Sequence, residues 1–190
     1  MSENPQPEPY AAGETWSRIA RRIRVPLGFA FAVVYVWLAR PTRMSLVVGA
    51  LLLIPGLWLR ALASGHVQKN EELTTSGPYA YTRNPLYLGS LILAAGFAVA
   101  ARSTWIAGLA VLMFAAIYIP VITAEERFLR QAFPEFKDYA QHVPRFLPRL
   151  TKWGDASGEF SSALYWKHRE YNALLGSVIV LAVLAAKLLW

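Results

Sequence analysis

The chain has 190 residues, is 55% hydrophobic and only 16% charged, and carries a formal net charge of +7. An average soluble domain is about 25% charged, so the apolar surplus points to a membrane protein, and the length fits one domain. The absence of cysteine excludes disulfides, thiolate catalysis and cysteine-ligated metal.

Residues 1–14, "MSENPQPEPYAAGE", are acidic and proline-rich without the apolar core of a signal peptide, and read as a disordered tail. Residues 15–190 then form a single integral membrane domain. "ETWSRIARRIR" sets Trp16, Ile19 and Ile23 on one helical face among arginines, the pattern of an interfacial helix. Five apolar segments follow: Val25–Ala39, Met44–Ala63, Leu86–Ala101, Thr104–Ala124 and Ala173–Leu189. A membrane crossing takes about 20 residues, with a range of roughly 17–25, so the first and third are short and the fourth ample. The links Arg40–Arg43 and Arg102–Ser103 leave room only for tight hairpins. The fold class is therefore all-α, a polytopic membrane helical bundle of about five transmembrane helices with cytosolic amphipathic helices.

With the N-terminus inside, 15 of the 19 Lys and Arg residues fall on the inner side and four (Arg40, Arg43, Arg102, Lys187) on the outer side. This asymmetry places the C-terminus outside. It also accounts for the basic charge through topology and attraction to membrane lipids, with no need for nucleic acid.

The polar residues then concentrate at inner-side helix ends. "GHVQKNEELTT" brings His66, Lys69, Glu71 and Glu72 to the exit of the second span. "SGPYAYTRNPLYLGS" contains a Gly77–Pro78 turn signal, an N-cap residue in Asn84 and a first-turn proline in Pro85. Local structure alone explains those four residues. Glu125 and Glu126 stand at the exit of the fourth span, and the apolar residues from Phe128 to Val143 keep helical spacing, with a break expected at Pro134. "WKHREYNALLGSVIVLAVLAAKLLW" reads as a span entered through an aromatic, basic interfacial stretch, and nothing in it points to catalysis.

Taken together, "GPYAYTRNPLYLG" and "EERFLRQAFPEFKDYAQHVPRFLP" resemble the isoprenylcysteine carboxyl methyltransferase family and related phospholipid N-methyltransferases, over about Ser64 to Pro148. That resemblance implies an integral membrane enzyme that uses S-adenosyl-L-methionine on the cytosolic side to methylate a lipophilic acceptor, an isoprenoid or lipid carboxyl or amine. Carried over by position, the cofactor contacts are Glu72, Leu73, Thr74, Tyr79, Arg83, Asn84, Pro85, Leu86, Tyr87, Glu125 and Glu126. His66, Lys69 or Gln68 is expected to add a polar contact. Tyr79, Arg83 and Glu125 are the expected catalytic residues, and no metal is implied. The cofactor's carboxylate suits Arg83, Lys69 or His66, its ammonium suits Glu125 or Glu126, and its sulfonium suits the faces of Tyr79 and Tyr87.

Three departures from the family pattern stand out. Its histidine is Asn84, its Phe-Gly is Phe133–Pro134, and the arginine four residues before the cofactor glutamate is Val121. The last removes the cation that would hold a prenylcysteine carboxylate. Two other readings compete: an NADPH-dependent sterol-reductase-like membrane enzyme, and a non-catalytic scaffold whose motif merely caps helices. The sequence leaves the oligomeric state open.

Overall fold

A computed structural model describes residues 28, 30–68, 72–154 and 158–189. The expected tail, the "ETWSRIARRIR" helix and Lys69 lie outside the described residues. Among those described, the chain is helical throughout, with no strand. Residues 30–38 form α1, followed by α2 (Arg43–Ser64), a 3-10 turn (Gly77–Ala80), α3 (Pro85–Ala101) and α4 (Thr104–Met113). A π-helical turn (Phe114–Tyr118) leads into α5 (Ile119–Ala132), and α6 (Phe136–His142), α7 (Ser162–Lys167) and α8 (Tyr171–Lys187) complete the fold.

Local chemistry sets these boundaries. Thr42 and Ser45 form a reciprocal capping box at the start of α2. Arg102 takes a left-handed conformation at φ 51° to end α3, and the Ser103 side chain caps α4 one residue later. That is the tight hairpin expected from the two-residue link. The helix expected to end at Ala124 instead runs on, so that Thr104–Ala132 is one 29-residue helical stretch. It stops at Phe133, and Pro134 separates it from α6.

The π turn has a cause in sequence. Pro120 has no N–H, and its ring would press on the carbonyl of Ala116 in a regular α-helix. Widening by one residue relieves that clash, and the Ile119 N–H bonds to Phe114 O instead.

Among the described residues, two helices are long and apolar enough to cross a membrane: Arg43–Ser64 and the Thr104–Ala132 stretch. Only 22% and 17% of their apolar windows are buried within the protein, so most of their apolar surface faces outward. At 17 residues each, α3 and α8 reach only the lower end of the spanning range. Length and composition thus support two crossings outright where the sequence suggested about five.

The α2–α3 pair is the backbone of the fold. A Cβ on Gly49 would fall 2.6 Å from Ala100 Cβ and 2.8 Å from Gly96 O, so only glycine lets the helices approach this closely. At one end, Tyr35, Ala39, Ala100, Ala101, Ile106 and Leu184 form a buried cluster joining α1, α3, α4 and α8. At the other end, Phe136, Tyr139 and Val143 form a second cluster with Leu73, Leu129 and Trp153 around them.

A backbone lacing ties that second end together. Arg83 N–H donates to Pro144 O at 2.9 Å, Arg149 N–H to Tyr81 O at 3.0 Å, and Trp153 N–H to Ala80 O at 3.1 Å. The buried Thr82 hydroxyl meets the carbonyls of Arg145 and Phe146. Residues 144–153 are thus fixed along residues 80–84.

Candidate active site

Between the ends of α2, α3 and α5 lies a cavity of about 690 Å³, within the range of ligand-binding clefts. Glu72, Leu73 and Thr74 reach it from the loop after α2. Tyr79 and Arg83 reach it from the turn, and Asn84, Pro85, Leu86 and Tyr87 from the start of α3. Glu125 and Glu126 project from α5, and Gln68 also lines the space. His66 is not among the lining residues. Its Nδ1 lies 2.7 Å from Leu62 O, and its ring packs edge-on to Phe160 and covers Gly77. The turn needs glycine at that position, since Gly77 has φ +55° and a Cβ there would come within 2.5 Å of the His66 ring.

The two adjacent glutamates have different tasks. Glu125 Oε2 accepts from the Tyr87 hydroxyl at 2.8 Å. Glu126 accepts from Asn84 Nδ2 at 3.0 Å and Arg145 Nη2 at 2.9 Å, and lies 3.7 Å from Arg83 Nη1. Successive helical residues point about 100° apart, so neighbours meet different partners. Asn84 occupies the N-cap position of α3, but its side chain makes no capping bond. Its amide is committed to Glu126 and to Arg145 O.

Among the described residues, two buried atoms here lack a partner: Arg83 Nε and Arg145 Nε. One carboxylate, Glu126, serves both guanidiniums. A buried donor left unsatisfied costs about 1–3 kcal/mol, so an excess of cationic donors on a cavity-lining arginine fits an incoming anion. A ligand with a carboxylate meets that requirement, as the amino-acid end of S-adenosyl-L-methionine does.

Tyr79 is buried at the centre. Burial holds its phenol well above the usual range, and Glu125, Tyr139 and Tyr87 push it the same way against an opposing effect of Arg60. Tyr139 is raised as well, by burial first, with Arg83 lowering and Glu126 raising it. The Tyr139 hydroxyl donates to Tyr79 O at 2.8 Å, which fixes the turn. Both phenols are therefore neutral at physiological pH. Tyr118, the last residue of the π turn, stacks on Phe114 and meets Tyr87 edge-on at 5.8 Å, making an aromatic wall.

Several lining residues lie outside the motifs that carry the resemblance: Arg60, Ser90, Tyr118, His168 and Glu170. A charge inside an apolar helix was the available cue for Arg60. Nothing local marks Glu170, whose carboxylate pairs with Arg60 across 110 residues.

The comparisons with known proteins bear on this same region. Residues 44–135 match the model of the phospholipid methyltransferase family. The cobalt-zinc-cadmium resistance protein CzcN of Cupriavidus metallidurans is 43% identical over 95 residues, half of this chain and 43% of that protein. The nickel-cobalt-cadmium resistance protein NccN of Alcaligenes xylosoxydans xylosoxydans is 40% identical over 95 residues, again half of this chain and 44% of that protein. The match therefore spans less than half the length of each relative. No solved structure matches the chain. The matched stretch holds the turn, the glutamate pair and the α2–α3 packing just described, and it is across residues 44–135 that the chain is similar to the phospholipid methyltransferase family.

Proposed function

We propose that the protein transfers a methyl group from S-adenosyl-L-methionine to a lipophilic acceptor at the cytosolic face of a membrane, with five crossings, an inner N-terminus and an outer C-terminus. The observation that carries this reading is the convergence of Tyr79, Arg83, Tyr87 and Glu125 on one cavity, beside guanidiniums in excess of their counterion. Arg83 holds the cofactor carboxylate, Glu125 the ammonium, and the faces of Tyr79 and Tyr87 the cationic sulfur. Glu126 keeps Asn84, Arg83 and Arg145 in register. When bound, the cofactor supplies an electrophilic methyl group, and transfer needs alignment without a covalent enzyme intermediate. Membrane lipids surround the outward apolar faces, and the acceptor enters from them.

Ligand-induced stabilisation of the purified protein in detergent tests the reading. S-adenosylhomocysteine at about 100 times its Kd should stabilise by about 2.7 kcal/mol, a Tm rise of about 5–10 °C for a chain of this size. NADPH should give no rise. A rise with NADPH alone would return the reductase reading, and none with either would leave a scaffold.

A further inference from the structure

The donor-side residues occupy one wall of the cavity. Another part of the lining comes from the end of α2 and, beyond the family match, from the corner between α7 and α8. There Arg60 donates through Nε and Nη2 to both oxygens of Glu170, and through Nη1 to Ser90 Oγ. The pair is sheltered, with side-chain exposures of 24% and 9%. Beside it, His168 Nδ1 lies 3.0 Å from Ser64 O, the carbonyl at the end of α2. A carbonyl only accepts, so Nδ1 carries the hydrogen, and in the neutral ring the lone pair sits on Nε2.

Every carboxylate on the cavity already has a partner. Glu125 is taken by Tyr87, Glu126 by Asn84 and Arg145, Glu170 by Arg60, and Glu72 by Gln68. Among the described residues no group hydrogen-bonds His168 Nε2, and that atom is not sealed in the interior. A base lined up on the cavity by a backbone anchor, with its lone pair open, is equipped to take a proton. An anionic acceptor would instead need a free cation here, and Arg60 is neutralised by Glu170.

We propose that His168 Nε2 is the proton acceptor of the reaction, and that the methyl acceptor is a protic nucleophile, an amine or hydroxyl, whose head group lies along Arg60, Ser90 and Glu170. This rests on the methyltransferase reading. The nucleophile's lone pair forms the new N–C or O–C bond while the S–C pair returns to sulfur, giving a neutral thioether. The N–H or O–H proton passes to Nε2, and the imidazolium then gives it to water.

The test uses the full-length protein in vesicles containing phosphatidylethanolamine, oleyl alcohol or oleate as amine, hydroxyl and carboxylate probes, with an isotopically labelled methyl donor. The wild type should methylate the amine or the alcohol and leave oleate alone. His168→Ala should lower kcat by about 100-fold or more, the size of a general-base contribution, while S-adenosylhomocysteine still raises its Tm as in the wild type. Added imidazole should restore part of the rate in the variant and none in the wild type. His168→Gln keeps a donor for Ser64 O but no base, and should show the same kcat loss if the alanine variant folds poorly.

Wild-type turnover in either variant, methylation of oleate alone, or turnover of no probe by a protein that binds S-adenosylhomocysteine would overturn the proposal. So would loss of S-adenosylhomocysteine binding in both variants, which would make His168 structural. Absence of S-adenosylhomocysteine binding in the wild type would instead remove the methyltransferase reading beneath it.

Discussion

Glu126 is the electrostatic keystone of the site, and Glu126→Gln isolates that role. The carboxylate is 12% exposed and accepts from Arg145 and Asn84 while facing Arg83, itself 14% exposed. Glutamine keeps one oxygen for Asn84, so the shape survives. It turns an amide toward Arg145 and leaves two guanidiniums without their shared negative charge. Breaking a fully buried pair costs about 3–5 kcal/mol. Arg145 is 37% exposed, so water screens part of its loss and the expected cost falls to about 2–3 kcal/mol. For a chain of 150–250 residues that lowers Tm by about 5–10 °C. Thermal unfolding in detergent, followed by tryptophan fluorescence, reads it directly. Glu72→Gln is the control, because Glu72 is exposed and, among the described residues, bonds only to Gln68, and such a change stays within about 0.5 kcal/mol. Equal Tm values for the two variants would refute the keystone role.

Glu125→Gln removes a charge held by one tyrosine, and should weaken S-adenosylhomocysteine binding about tenfold, about 1.4 kcal/mol, while the Tm of the free protein changes little. Unchanged affinity by calorimetry would take Glu125 out of the cofactor site. The raised phenol of Tyr79 favours the neutral form, so its contribution to stability is complete below pH 10 and lost as pH rises toward the folded-state value. A Tm series from pH 8 to about 11 should fall at its upper end in the wild type and fall less in Tyr79→Phe. Gly49→Val forces a side chain onto Ala100 and the Gly96 carbonyl, and should cost at least about 1–3 kcal/mol as lowered Tm; an unchanged Tm would mean that α2 and α3 separate freely.

Much of the fold is legible in the sequence because its determinants are local. The hairpin between α3 and α4 follows from the two-residue link, and the break before α6 from Pro134. The cluster of polar residues after α2 and at the start of α3 shows which end of the bundle carries chemistry. The roles that the sequence leaves open depend on distant partners. Asn84 looks like a helix cap, but Glu126 and Arg145, 42 and 61 residues away, claim its amide. The division of labour between Glu125 and Glu126 is set by which side of α5 meets Tyr87, and that depends on the extra residue in the π turn. His66 has the chemistry of a ligand residue, but Gly77 and Phe160 claim its ring. The α7–α8 corner reads as a plain membrane entry, since an ion pair to Arg60 leaves no trace in nearby residues.

The bridge from Arg60 to Glu170 also bears on how the chain is made. Among the described residues, the carboxylate that pairs with the guanidinium near the end of α2 is that of Glu170, which the ribosome adds 110 residues later. A nascent or truncated chain that stops short of it therefore carries that charge in an apolar segment without this partner.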